Sequence, residues 1–170
     1  MPDTQEARKM VFFSAADAPS LDDEGMMSSA ALDPAIAEEV DLGPYSNASK
    51  LSVLYRGAGP EGFSLVHVSF NPGFRLPRHT HNVDCLYYVV SGEIIMGSRR
   101  LHAGEGFFIR AGVTYAYEAG PQGVEVLEFR AATSFDIQIL DQTVDRWRAI
   151  VNSLRVGGTA QAVDEPVPSS

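Results

Sequence analysis

Two histidines placed two residues apart, His79 and His81, are the residues in this chain best suited to chemistry. In an extended strand alternate side chains share a face, so both imidazoles would point the same way, a few ångströms apart. Two neutral imidazoles so placed can form one edge of a metal's coordination sphere. Val83 and Cys85 share that parity, so a face carrying the histidines also carries the chain's single thiol. A thiolate beside two histidines would favour a softer ion such as Zn(II) or Cu. Tyr87 shares the face of Cys85 and could donate a hydrogen bond into an interior cavity. His67 lies on the preceding strand, where it is either a ligand-binding residue or a hydrogen-bonded barrel histidine. Glu125 and Glu128 have opposite parity, so one of them faces inward.

Short strands with glycine turns must position these groups. Leu51–Tyr55 and Phe63–Phe70 read as strands joined by the Gly57–Gly62 turn. Pro72-Gly73 turns the chain before the histidine pair, and Ser91-Gly92 turns it after the β-former run Cys85–Val90. Ile94–Met96, Arg100-Leu101, Phe107–Ile109, Tyr115–Glu118, Val124–Phe129 and Phe135–Leu140 read as further strands, with Ala119–Gly123 as a break. Many short strands with no helical pattern between them point to an all-β sandwich or barrel. Lys9–Phe13 could add an edge strand. Asp33-Pro34 signals the start of a short helix that stops near Gly43-Pro44. Val144, Trp147, Val151 and Leu154 recur at helical spacing, with Asp141 as a possible cap and Gly157-Gly158 as the stop. The predicted organisation is an N-terminal arm (1–49), a barrel (50–140), a C-terminal helix (141–156) and a disordered tail (157–170). Both faces of Cys85–Val90 are apolar, so the outer face should be covered by the arm, the C-terminal helix or a second subunit.

The stretch Gly73–Gly92 resembles the first motif of the cupin superfamily, with Gly73, His79, His81 and Gly92 in register and Cys85 at the usual glutamate position. Gly104–Ala119 resembles the second motif. There Gly104 and Gly112 are in place, Arg110 stands for the usual proline, Tyr115 for the third histidine ligand and Ala119 for the terminal asparagine. The likeness covers about residues 51–132 and is to small single-domain cupins of the cupin 2 barrel type, with a variant metal motif. It implies a double-stranded β-helix, or jelly-roll, barrel carrying the arm with its short helix and the C-terminal helix. It also implies a metal shell of His79, His81, Cys85 and Tyr115, with a divalent Zn, Fe, Mn, Ni or Cu ion, or no metal at all. Tyr115 and Tyr87 are the candidate catalytic residues. Arg75 and Arg110 flank the two motifs and, with His67, are the candidate substrate-binding residues; an inward arginine could clamp a carboxylate. Cupins are often homodimers, and the doubly apolar strand permits one.

Composition narrows the function classes. A net charge of −9 repels a phosphate backbone, which argues against nucleic acid. One cysteine allows no internal disulfide and fits a reducing compartment. The N-terminus has no apolar signal region and no run reaches membrane-spanning length, so a cytoplasmic protein with no membrane partner is expected. The leading expectation is a small cupin that binds a divalent metal in the barrel and acts on a small organic metabolite, as an oxygenase, decarboxylase, isomerase or lyase. The alternatives are a non-catalytic ligand-binding or sensor cupin, and a metal-free enzyme using Tyr115, His79 or His81 as acid and base. Whether the chain is an enzyme at all is left open by its residues.

Overall fold

The computed structural model describes residues 10–159, with side chains through residue 154. Residues 1–9 and 160–170, where loose termini are expected, lie outside the described residues. In chain order the elements are β1 (Met27–Ser29), α1 (Pro34–Glu39), α2 (Gly43–Asn47), β2 (Ser49–Arg56), β3 (Ser64–Phe70), β4 (Arg75–Thr80), β5 (Cys85–Met96), β6 (Arg99–His102), β7 (Gly106–Ile109), β8 (Tyr115–Arg130), β9 (Phe135–Ile139) and α3 (Val144–Thr159). They form a jelly-roll β-barrel with flanking helices, the cupin architecture.

Two long strands organise the barrel. β8 pairs with β4 through its first half, with β3 through its second, and with β5 along both. β5 also pairs with β6 and β7. The sequence suggests two strands with a turn in each of these places, and the structure shows one continuous strand in each. The reason lies at Gly92 and Gly123. The β5–β8 register shifts on either side of Gly92, and both glycines take positive φ, 74° and 78°. A β-carbon on Gly92 would overlap the Gly123 carbonyl oxygen. The glycines therefore bend two paired strands in step instead of ending them.

Strand alternation sets the core. Ser64, Val66, Val68 and Phe70 of β3 are buried, as are Cys85, Tyr87 and Val89 of β5. The opposite face of β5 is not covered: Leu86, Tyr88 and Val90 are each close to half exposed.

The arm and the C-terminal helix pack on each other. Asp33 caps α1 through Ala35 N–H, with Pro34 in the first turn. Ile36 and Val40 then bury against Trp147, Ile150 and Val151 of α3. α1 ends at Glu39, short of Gly43-Pro44, and those two residues open a second short helix, α2, that the sequence did not suggest. β1 joins the arm to the sheet by pairing parallel with β9. No strand forms at residues 10–13. Asp141 does not cap α3, which begins at Val144 and runs through Gly157-Gly158. Its carboxylate instead accepts from the Arg78 backbone N–H and from the Arg78 and Arg146 side chains, tying α3 to β4. Among the described residues no helix is long and apolar enough to cross a membrane.

Candidate functional site

The register of β8 builds the site. Directly opposed residues share a face. β8 sets Tyr115 opposite His79 and Glu128 opposite Tyr87. Strand parity adds Arg130 two residues beyond Glu128. All of these side chains, with His81 just past β4, line one cavity of about 490 Å³. At the buried end, His79 is fully buried and Tyr87 and Arg130 are 1% exposed. At the other end the rim is polar and exposed, with Ser20, Asp22, Ser46 and Lys50. Between them the wall is apolar, including Phe70, Phe74, Phe135, Leu76 and Ile137.

The imidazoles are fixed as well as buried. His79 Nδ1 lies 2.8 Å from the Pro77 carbonyl, and His81 Nδ1 bonds the Asp136 carbonyl. A carbonyl can only accept, so Nδ1 carries the proton in both rings and Nε2 keeps its lone pair. His79 Nε2 is buried with no hydrogen-bond partner. The two rings sit 4.9 Å apart, and Tyr115 is 4.2 Å from His79. Burial pushes both histidines down to about 4, and the bonds to the carbonyls oppose that shift without cancelling it. Both rings are therefore neutral at neutral pH.

The remaining groups form one network. Tyr87 and Tyr115 share a hydrogen bond between their hydroxyls. Burial, with the Glu128 carboxylate adding to it, holds both phenols above their usual range. Arg130 Nη2 donates to Glu128 Oε2 at 2.7 Å and to the Tyr87 hydroxyl at 3.4 Å. The guanidinium lies 3.9 Å over the Phe135 ring. Burial disfavours that cation, and Glu128 more than restores it, so the arginine stays charged.

Of the expected site residues, His79, His81, Tyr87 and Tyr115 come together here. Cys85 is buried on the expected face but does not line the cavity, and burial pushes its thiol up to about 12. The other three lie elsewhere. Arg75 pairs with Glu118 at 3.2 Å, His67 faces Glu125 at 3.7 Å, and Arg110 is exposed. His67 points outward because the even-numbered face of β3 is the buried one. Asp84, of the wrong parity, accepts from the Ala111 N–H outside the barrel. Of Glu125 and Glu128, Glu128 is the inward one. Arg130 was not singled out by sequence, although its parity with Glu128 signals it.

A resident metal ion of the expected kind does not fit this donor set. Among the described residues no group of three or more histidine, cysteine, aspartate or glutamate side chains could hold one. Two nitrogen donors, a protonated phenol and a Glu128 carboxylate already held by Arg130 at 2.7 Å fall short of the about three or four free protein ligands usual for a divalent ion.

No family model and no curated protein matches the chain by sequence. Solved structures do match in shape. The polyketide cyclase RemF from Streptomyces resistomycificus superposes with TM-score 0.57 at 17% identity, covering 86% of this chain and 99% of that one. An RmlC-like cupin from Ralstonia eutropha JMP134 gives 0.56 at 13% identity, covering 96% of each chain. Another, from Shewanella frigidimarina, gives 0.50 at 19% identity, covering 74% of this chain and 93% of that one. At these identities the likeness establishes the fold, which is a cupin fold.

Proposed function

We propose that this chain is a small-molecule-binding cupin that holds one organic ligand in the barrel without a resident metal. The observation that carries the reading is the histidine pair. Both Nδ1 protons are tied to backbone carbonyls, and two Nε2 lone pairs remain at the buried end of a cavity of about 490 Å³. That volume lies within the usual range for ligand sites, and the apolar wall with few polar groups matches their usual make-up. The histidines resist protonation and the tyrosines resist deprotonation, so these groups accept and donate hydrogen bonds but are poor proton stores. They orient and polarise a ligand rather than carry out proton transfer to or from it. Arg75, Arg110 and His67 have no direct part in this reading, and Cys85 serves as a buried packing residue. The apolar outer patch of Leu86, Tyr88, Val90, Phe108 and Phe129 on β5, β7 and β8 is where a second copy sits in the homodimer.

Titration calorimetry with 2-naphthol tests the reading, and metal analysis of the purified protein completes it. The expected results are one naphthol bound per chain, loss of binding in a Leu51→Trp variant that fills the cavity Leu51 lines, and no stoichiometric metal. Stoichiometric metal in the wild type that is lost in His79→Ala would replace this reading with a metal-held site.

A further inference from the structure

Arg130 is the least expected group in the cavity. It is 1% exposed, and its Nη2 is engaged by Glu128 and Tyr87. Its Nε and Nη1 are buried with no hydrogen-bond partner. Phe135 covers one face of the guanidinium and restricts its movement. Buried donors left unpaired are costly, and those of a charged group more so. The cavity therefore holds two kinds of unmet demand. Arg130 offers N–H groups that need an acceptor, and His79 Nε2 offers a lone pair that needs a donor. Both lie at the buried end, joined through the Tyr87 and Tyr115 hydroxyls, and the apolar, aromatic wall runs from there towards the rim.

We propose that Arg130 and His79 select a neutral hydroxy-carbonyl ligand on a ring-sized apolar body, with the carbonyl oxygen on the Arg130 N–H groups and the hydroxyl donating to His79 Nε2. The inference rests on the reading of the cavity as a small-molecule site and names the ligand class for it. Charge decides against a carboxylic acid. Glu128 already neutralises Arg130 across 2.7 Å. A ligand carboxylate would leave a net negative charge in a buried, poorly solvated place, whereas a carbonyl oxygen accepts the same bonds at no such cost. Charge-assisted donors still make the carbonyl contact stronger than a neutral one. The hydroxyl is required because His79 is fixed as an acceptor by its bond to Pro77.

Four fluorescent probes of one ring system, with both polar groups on one side of the ring, test this: 3-hydroxy-1-acetonaphthone, 1-acetonaphthone, 2-naphthol and 3-hydroxy-1-naphthoate. The hydroxy-ketone should bind about tenfold or more tighter than each of the other three, the value of one well-placed hydrogen bond in a buried site. Replacing Arg130 alone would strand the Glu128 charge, so the variant is the double Arg130→Met, Glu128→Gln, which removes the pair together. In it the hydroxy-ketone should fall to the level of 2-naphthol, while 2-naphthol itself is unchanged. Tighter binding of the naphthoate, or equal binding of naphthol and hydroxy-ketone to the wild type, would overturn the role of Arg130 and leave the pocket reading standing. Should the double variant fail to fold, that wild-type ranking alone decides the matter. No binding of any of the four probes would overturn both.

Discussion

His79 and His81 are held neutral by burial, and that state has a cost in acid. The unfolded chain takes up protons at these residues near 6.5, and the folded chain only near 4. Between those values acidification favours the unfolded state, so stability is full above 6.5 and falls as the pH drops towards 4. The groups facing the pair are Arg130, which deepens the effect, and Glu128 and Asp136, which lessen it. Urea unfolding of chelator-treated protein should show a loss of about 3 kcal/mol per histidine across that window. In His79→Gln the dependence should flatten, and an unchanged slope would show that His79 is not held neutral. Cys85 gives a second prediction at the same scale. Its buried thiol should resist iodoacetamide at pH 8 in the native state, and Cys85→Ala should keep naphthol binding. Rapid alkylation of Cys85 in the native protein, or loss of naphthol binding in Cys85→Ala, would contradict the packing role. The histidines were legible in the sequence because a strand's parity needs only their spacing. Arg130 was not, because an arginine near a strand end usually faces water. It is buried only because Glu128 two residues earlier and Tyr87 across the sheet both accept from it.

At the scale of elements, the glycines separate what sequence shows from what pairing decides. The motif glycines Gly73, Gly92, Gly104 and Gly112 all have positive φ, so their spacing did mark real backbone requirements. Gly73, Gly104 and Gly112 lie between strands, as a turn residue should. Gly92 lies inside β5, because a partner strand with its own glycine crosses it there. Nothing local distinguishes these two uses of glycine, so strand lengths were legible only up to Gly92 and Gly123. The difference is measurable. Gly92→Ala meets the Gly123 carbonyl oxygen as well as an unfavourable φ and should cost about 3 kcal/mol or more. Gly97→Ala, with φ 59° and nothing within 4 Å, should cost only about 1 kcal/mol. Urea midpoints of the two variants compare them directly; equal losses would mean that the two strands separate freely at Gly92. Of the helices, α1 and α3 were legible through Asp33-Pro34 and the Trp147 spacing, and α2 was not, because Gly43-Pro44 read as a stop. Their docking was not, because it depends on Asp141 reaching back to Arg78 on β4.

For the whole molecule, the unsatisfied feature is the outer face of the barrel. Leu86 is 50% exposed and lies between Phe108 and Phe129 in the sheet, at 57% and 41%. Tyr88 and Val90 extend the patch along β5. The sequence anticipated a cover for this face, and α1 and α3 do not supply one: they pack on each other and, through Asp141, on β4. An apolar patch this continuous is unusual on a monomer's surface. A second copy suits it because the patch carries no charge of its own, so two copies can face each other across a twofold axis without like charges meeting at the centre. The rest of the chain works against association, since each copy brings a net charge of −9. Salt should screen that repulsion and leave the apolar contact intact, so the dimer should tighten as ionic strength rises. An interface built on ion pairs would show the opposite trend. Sedimentation equilibrium at low and high salt should therefore find a dimer that strengthens with salt. The variant Leu86→Asp, Phe108→Asp should be monomeric while keeping naphthol binding, because neither residue lines the cavity. A wild type that stays monomeric at on the order of 100 μM protein in high salt would show that a second copy does not cover this face.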